Sequence, residues 1–256
     1  MDFLKRGQGL IGTVAMALVV AGASPAAAVG ALPPYDWTGL YVGGYAGGPF
    51  GSRAKAQDNG GGPFTAYNDG HGHTWRYDLS SSFIGDAQVG YNFQIPSIVL
   101  GLENEVGYIS QTGSRADPVS PNGDTKSSTE VGRWFDVLGG RVGVAFDRWL
   151  VYAKGGGAFT HVSSKVVDSC ITGSCGGGAV STSGGESVVT GAGGGGAEYA
   201  ITNNSTYKLE YLFITVDSSF NSSGPATAGG ATGTTFNFKH NVNGIHTVKL
   251  GVNYKF

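Results

Sequence analysis

Hydrophobic and polar positions alternate with a period of two residues over most of the chain beyond residue 36. The segment HTVKLGVNYKF shows the pattern, with Val248 and Leu250 on one face and Thr247 and Lys249 on the other. Alternation of this kind predicts β-strands that present faces of opposite polarity. Eight such runs are predicted, and they span approximately 37–50, 81–94, 98–112, 129–146, 149–165, 186–201, 205–218 and 244–256.

The lengths of the connections between these runs indicate how the strands are arranged. The connections at 95–97, 147–148 and 202–204 are short, and those at 51–80, 113–128, 166–185 and 219–243 are long. Because short and long connections alternate strictly, an up-and-down arrangement places all short turns at one end. Short periplasmic turns and long external loops are typical of outer-membrane barrels. The pattern therefore predicts an all-β, eight-stranded antiparallel up-and-down transmembrane β-barrel.

A soluble eight-stranded barrel of the lipocalin type is the alternative, and the polar faces argue against it. Arg141 shares a face with Gly139 and Gly143, and Lys154 shares one with Gly156. Small residues with isolated charges suit the narrow interior of an eight-stranded barrel. The opposite faces are apolar, with aromatic residues near both ends of the runs, as the two aromatic girdles of a membrane barrel require.

The first 28 residues have the features of a secretory signal peptide. Lys5 and Arg6 precede an apolar run at 10–23, and Ala26 and Ala28 form an A-x-A cleavage site. The apolar run is shorter than the ~20 residues that span a bilayer as a helix. We therefore predict a signal peptide at 1–28 and an outer-membrane barrel domain at 29–256.

Composition and charge support a barrel and exclude some partners. The chain has 46 Gly residues, yet 40% of its residues are hydrophobic and 11% are aromatic, which favours many short strands over disorder. The formal net charge of −2 and the lack of a basic run exclude nucleic acid as an expected partner.

The predicted inward faces carry ten charged residues that would form a network in the lumen. The acidic members are Asp86, Glu103, Glu105, Glu198 and Glu210, and the basic members are Arg133, Arg141, Lys154, Lys208 and Lys249. Unpaired charges in a filled lumen would be costly, so pairing is expected. The network could be a gated ion path or a structural polar plug, and the narrow interior favours the plug.

Two loop features suggest chemistry. Cys170 and Cys175, in DSCITGSCGGG, are predicted to form a loop disulfide, with two free thiols or a metal pair as alternatives. His71 and His73 could bind heme or a metal ion, but a solvated Gly-rich loop is more common. We therefore expect no cofactor and no metal.

The sequence offers no convincing catalytic pair. His161 and Ser163 lie on the outward face near the external end of the fifth run. Residues two positions apart on a strand are separated by about 7 Å, which is too far for direct contact. We therefore expect that the protein is not an enzyme.

Several segments together resemble one family. These are YDWTGLYVGGYAGG, GYNFQ, GRVGVAFDRWLVYAKGGGAF, GAGGGGAEYAITNNSTYKLEYLFI and HTVKLGVNYKF. They resemble the small outer-membrane β-barrel proteins of alphaproteobacteria, described as porin-like, OmpA-like or outer-membrane immunogenic proteins. The resemblance implies a cell outer-membrane protein that supports envelope integrity and surface interactions. Heme binding and adhesion, reported for some relatives, would depend on the loops.

The last predicted strand has a special role, because it must pair with the first to close the barrel. Phe256 would lie in the inner aromatic girdle, and it resembles the terminal aromatic signal that the barrel assembly machinery reads. The expected partners are that machinery, outer-membrane lipid and lipopolysaccharide, and the expected state is a monomer with no further domain attached. A structural surface role is favoured, with a small-solute pore and a surface receptor or adhesin as alternatives.

Overall fold

The computed structural model of the protein describes residues 34–63, 67, 73–120, 123–169, 179–216 and 218–256. These residues form antiparallel strands joined by turns and loops. The strands are β1 (Gly39–Phe50), β2 (Arg53–Asp58), β3 (Thr74–Asp78), β4 (Ser80–Ile95), β5 (Ile98–Ala116), β6 (Thr125–Phe146), β7 (Trp149–Asp168), β8 (Val180–Ala200), β9 (Ser205–Ile214), β10 (Ser218–Pro225), β11 (Thr235–Val242) and β12 (Ile245–Lys255). The predicted signal peptide at 1–28 lies outside the described residues.

Eight of the strands form a closed ring. Going around the ring, the order is β1, β4, β5, β6, β7, β8, β9 and β12, and β12 pairs with both β9 and β1. Tyr45 opposes Gly251 where the ring closes. The prediction of an eight-stranded antiparallel barrel is therefore confirmed. The described residues contain no helix with the length and hydropathy needed to cross a membrane.

The remaining four strands extend the barrel beyond this ring. β2 continues the path of β1, β3 leads into β4, β10 follows β9, and β11 leads into β12. β10 pairs with β11, β11 with β2, and β2 with β3, while Ser223 of β10 opposes Ser183 of β8. We call this part of the barrel, at the end with the long connections, the external half.

The external half corrects the prediction of four long loops. The intervals predicted as loops at 51–80 and 219–243 contain β2, β3, β10 and β11. β5 continues to Ala116, β6 begins at Thr125, β7 reaches Asp168 and β8 begins at Val180. These segments pair with one another, which satisfies backbone N–H and C=O groups that an irregular loop would leave to water.

The outer surface of the ring is an apolar belt. Large hydrophobic side chains are exposed on the outside of all eight strands, and Leu102, Trp134, Leu138 and Leu250 are each more than 60% exposed. Aromatic pairs lie at both ends of the belt. Tyr108 packs edge-to-face on Trp134 toward the external half, and Trp149 packs on Tyr199 at the short-turn end. A continuous exposed apolar surface of this kind is stable only against lipid.

The interior has three layers along the barrel axis. An apolar cluster fills the external half, and it includes Trp75, Phe135, Val162, Phe236 and Phe238. A second apolar cluster closes the short-turn end, and it consists of Tyr35, Trp37, Val99, Ala145, Leu150, Tyr152 and Ala200. Polar and charged side chains lie between these two clusters.

Candidate functional site

The candidate site is the charged middle layer of the lumen, and the strand order explains why it lies there. Along β7, Leu150 belongs to the apolar cluster at the short-turn end, Lys154 to the charged layer and Ala158 to the apolar cluster of the external half. β5 repeats the order with Val99, then the charged residues, then Ile109. Alternate residues of a strand face inward. The order of apolar and charged residues at successive inward positions therefore determines where each layer lies along the barrel axis.

Glycines on the inner face provide the space for the long side chains. A Cβ at Gly90 would lie 2.2 Å from the hydroxyl oxygen of Tyr41. A Cβ at Gly101 would lie 2.4 Å from Oδ1 of Asn92 and 3.0 Å from Cγ of Arg141. These distances are far below van der Waals contact, so a larger residue at either position would displace members of the layer.

Nine of the ten predicted lumen residues meet in one network. Its acidic members are Asp86, Glu103, Glu105, Glu198 and Glu210, and its basic members are Arg141, Lys154, Lys208 and Lys249. Each of these side chains is at most 4% exposed where it forms an ion pair. Five carboxylates face four cations, so the formal charge of the network is 4 − 5 = −1.

Lys154 lies at the centre of the network. Its Nζ is 2.7 Å from Oε1 of Glu103, 2.6 Å from Oε1 of Glu105 and 3.2 Å from Oε1 of Glu210. The carboxylate oxygens of these three glutamates lie within 4.8 Å of one another, a spacing that could hold a metal ion. The ammonium group of Lys154 already contacts all three, so the arrangement is that of an internal ion-pair cluster.

The other cations bridge the remaining carboxylates. Nη1 of Arg141 is 3.2 Å from Glu198 and 3.4 Å from Glu103. Nζ of Lys249 is 2.8 Å from Glu105, 3.2 Å from Asp86 and 3.3 Å from Glu210. Because each cation contacts at least two carboxylates, the loss of any one leaves several acidic groups undercompensated.

Uncharged side chains that the sequence analysis did not select complete the network. The hydroxyl group of Tyr41 donates a hydrogen bond of 2.6 Å to Glu103, and that of Tyr152 donates one of 2.7 Å to Glu210. Asn253 donates one of 2.6 Å to Glu198. The guanidinium of Arg141 also lies 4.7 Å from the Tyr41 ring centroid. The alternation in the sequence could have identified these residues, because Tyr41, Tyr152 and Asn253 occupy inward-facing positions of their strands, as the charged residues do.

Arg133 corrects the prediction of a fifth inward cation. Its side chain is 76% exposed, and its only ion pair among the described residues is with Glu130, at 3.7 Å. A bulge causes the error: Val131 opposes Val162, but Phe135 opposes Thr160, so β6 advances four residues where β7 advances two. Arg133 itself has a φ of +83°, and this backbone conformation turns its side chain out of the lumen.

The predicted loop sites are only partly described by the structure. Cys170, Cys175 and His71 lie outside the described residues. Nε2 of His73 is 3.6 Å from Oδ1 of Asp117, and its ring stacks on Trp75. Trp75 is 2% exposed and belongs to the apolar cluster of the external half. Its indole ring is therefore already packed in the core and does not line an open ligand site.

The structure pairs His161 with a serine other than the one considered from the sequence. Nδ1 of His161 lies 3.1 Å from Oγ of Ser187, directly across the β7–β8 ladder. A histidine activated for nucleophilic catalysis is usually oriented by a third group. Among the described residues, no carboxylate forms an ion pair with His161, so this pair lacks that orienting acid.

Phe256 lies at the short-turn end of the barrel. Its backbone N–H donates to the carbonyl of Leu40 at 3.0 Å, which continues the contact between the last strand and β1. The side chain is 69% exposed and packs edge-to-face on Tyr254, with ring centroids 5.3 Å apart. Both rings therefore face outward at the lower rim of the apolar belt.

Comparison with known proteins places the chain among outer-membrane barrels. A family model described as "Outer membrane protein beta-barrel domain" matches residues 13–256. The 31 kDa outer-membrane immunogenic proteins of Brucella melitensis biotype 1 and Brucella suis biovar 1 are each 33% identical over 266 residues, covering 96% of this chain and 95% of the relative. The crystal structure of OprG from Pseudomonas aeruginosa has a TM-score of 0.48 at 10% identity, covering 87% of this chain and 98% of that chain.

Proposed function

This chain belongs to the family of outer membrane protein β-barrel domains, and from that premise we propose that it is a sealed barrel with a structural role at the cell surface. The protein resides in the outer membrane, where the apolar belt contacts lipid. In this proposal it contributes to envelope integrity, and its external half offers a surface for interactions outside the membrane.

The observation that carries the proposal is the filled lumen. A charged layer with side chains at most 4% exposed lies between two apolar clusters. An ion entering the lumen would have to cross an apolar layer, then disrupt paired charges, then cross a second apolar layer. Each of these steps is unfavourable, because desolvating an ion in an apolar environment is costly. The same argument disfavours a small-solute pore.

Conductance in planar bilayers tests the sealed lumen. We expect the folded protein to show no steady openings, whereas a general porin reconstituted in parallel should show them. The folded state is verified beforehand by the difference in SDS gel mobility between unheated and heated samples. Stable openings of porin size would contradict the proposal and would favour the pore.

The role in envelope integrity needs a test in cells. A strain that lacks the protein should release more of a periplasmic marker enzyme, and the wild-type gene should restore retention. A strain that retains the marker as well as the wild type, under osmotic and detergent stress alike, would contradict this part of the proposal.

We also propose that the protein is not an enzyme. The exposed His161–Ser187 pair is the strongest candidate for catalysis among the described residues, and it has no orienting carboxylate. We expect the Ser187→Ala variant and the wild type to be equally inactive on ester substrates presented in lipid vesicles. Ester hydrolysis that the wild type performs and Ser187→Ala does not would overturn this view.

A further inference from the structure

A seam interrupts the wall of the external half between β3 and β5. β4 pairs with β5 up to the Ser80–Thr112 pair, but within the described part of the chain no ladder joins β3 to the part of β5 beyond Thr112. A side chain bridges the two strands there: Nη1 of Arg115 donates a hydrogen bond of 2.8 Å to the carbonyl of Arg76. The seam therefore lies between strands that are close enough to contact but are not paired.

A cleft of about 430 Å³ opens at this seam. Its lining consists of Arg53, Arg76, Tyr77, Asp78, Ser114 and Arg115. Tyr77 is a buried inward residue, and its hydroxyl group lies 2.9 Å from Oγ of Ser127 and 2.7 Å from Oγ1 of Thr129. Arg76 and Asp78 are exposed on the outer face. The lining thus combines exposed residues of the outer face with one residue whose side chain faces inward.

The cleft is strongly cationic. Three arginines and one aspartate line it, so its formal charge is 3 − 1 = +2. Arg53 is paired with Asp78, with Nε 3.1 Å from Oδ1. Within the described part of the chain, neither Arg76 nor Arg115 has an ion-pair partner. Both side chains are exposed. Apart from the bond from Nη1 of Arg115 to the carbonyl of Arg76, their guanidinium groups retain donors for an external anion.

We propose that this cleft binds an anionic sugar that carries phosphate or sulfate groups. The planar guanidinium of arginine forms paired hydrogen bonds with such tetrahedral anions, and two or three arginines can share one ligand. Ser114 adds a hydroxyl group to the lining, which could donate to a sugar oxygen. This inference rests on the proposed surface role, because it requires the external half to face the outside of the cell.

The height of the cleft fits a carbohydrate ligand. Arg115 lies seven residues beyond Tyr108, whose ring belongs to the upper aromatic pair of the belt. Seven residues span about 23 Å of strand, or about 18 Å above the belt for a tilt of about 40°. Phosphorylated sugars at this height could belong to lipopolysaccharide of the same membrane, or an anionic polysaccharide could approach from outside.

The test compares two soluble probes on protein folded in phosphatidylcholine nanodiscs. One probe is the core oligosaccharide released from lipopolysaccharide, in phosphorylated and dephosphorylated forms, and the other is a sulfated oligosaccharide. The site variant is Arg53→Gln/Arg76→Gln/Arg115→Gln. The control variant removes two charges from exposed positions that do not line the cleft, through Arg133→Gln/Lys239→Gln. Gel mobility verifies that each variant is folded.

We expect the site variant to lose at least tenfold in affinity for an anionic probe, and the control variant to change less than twofold. Binding should weaken as salt is raised, and removal of phosphate should abolish binding of the core oligosaccharide. Preference for the phosphorylated core would identify the cell's own envelope as the source, and preference for the sulfated probe would identify an external polysaccharide. Equal binding would support recognition of the shared anionic chemistry.

Two outcomes would overturn the inference: wild-type protein that binds neither probe, or binding that the site variant retains in full. If the triple variant does not fold, Arg76→Gln serves alone, because its side chain is exposed and outside any ion pair of the described residues. A loss of about threefold is then expected, and an unchanged affinity would overturn the site. Because binding is measured on purified protein, its failure is distinct from a failure of the conductance or leakage tests.

Discussion

The substitution Lys154→Met tests whether the charged layer stabilises the barrel as an interdependent network. Methionine fills much of the same volume but removes the ammonium group that contacts Glu103, Glu105 and Glu210. The network then holds five carboxylates and three cations, so its formal charge changes from −1 to 3 − 5 = −2.

The expected destabilisation follows from the contacts that remain. Removing one member of a buried ion pair typically costs about 3–5 kcal/mol. Glu103 would keep Arg141 and Lys208, and Glu105 would keep Lys249. Because these partners compensate in part, we expect a loss of about 3 kcal/mol in the free energy of unfolding, at the lower end of that range.

Restoring the charge balance should recover part of this loss. The double variant Lys154→Met/Glu105→Gln has four carboxylates and three cations, and its formal charge returns to 3 − 4 = −1. We expect it to be more stable than Lys154→Met alone, by about 1 kcal/mol or more, since residues in one network are coupled by 0.5–3 kcal/mol.

Equilibrium unfolding in urea, with the protein in lipid vesicles, measures these differences. Tryptophan fluorescence and gel mobility follow the transition, and EDTA keeps a divalent ion from replacing the ammonium group among the three glutamates. Lys239→Met removes a charge from an exposed position and should change stability by less than about 0.5 kcal/mol. If Lys154→Met matches the wild type, or if the double variant is less stable than the single one, the reasoning is refuted.

Two further changes act at opposite ends of the barrel. Burial lowers the pKa of His240 to about 4 in the folded protein. As the pH falls from about 6.5 to about 4, this histidine is therefore protonated in the unfolded chain while it is still neutral in the folded protein, which favours unfolding. Stability should fall by about 3 kcal/mol over this window in urea titrations, and His240→Phe should flatten the dependence. At the other end, Phe256→Ser should lower the amount of folded protein in isolated outer membranes, because the proposed assembly signal and the contact with Tyr254 are lost. Wild-type levels at low and high expression alike would contradict that role, and Thr232→Ser in an external turn serves as its control.

The barrel ring and most of the charged layer could be predicted from the sequence because both depend on strict alternation. Glu103 and Glu105 face inward two residues apart, and Lys154 faces inward beside glycine positions. Short turns at three connections set the strand order without further information. The polarity of the two strand faces predicted which face contacts lipid. The face with small and charged residues was assigned to the narrow lumen, which accepts such residues, and the apolar face was assigned to lipid.

Arg133 could not be placed because counting by two assumes an unbroken ladder. The bulge between Val131 and Phe135 inserts residues into β6 that have no counterpart in β7. Gly132 has a φ of +134°, a conformation that favours glycine, and the Gly132–Arg133 pair is the only local hint. A glycine within a strand run often marks a bulge, but this chain has glycines at many regular strand positions as well.

The external strands were missed because their pattern is that of a soluble barrel rather than a membrane barrel. In TFNFKHNV, Phe236, Phe238 and Val242 face inward, while Asn237 and Lys239 face outward. A membrane strand is recognised by apolar side chains on its outward face between two aromatic girdles. This segment lacks them, and it was therefore assigned to a loop. The arginine cleft was also beyond reach, since Arg53, Arg76 and Arg115 come together only through strands that were not predicted.

The inward and outward faces of the barrel wall exchange polarity along β11 and β12. This exchange suits the external half to water and the part within the membrane to lipid. In β11 and at the start of β12, apolar side chains such as Phe238 and Ile245 face inward, and in β11 polar side chains such as Lys239 face outward. A few residues later Lys249 faces inward and Leu250 faces outward. The backbone alternation continues while the hydrophobic positions move to the opposite parity. The external half is therefore stabilised by burial of apolar area from water, whereas the membrane half depends on lipid outside and on charge pairing inside.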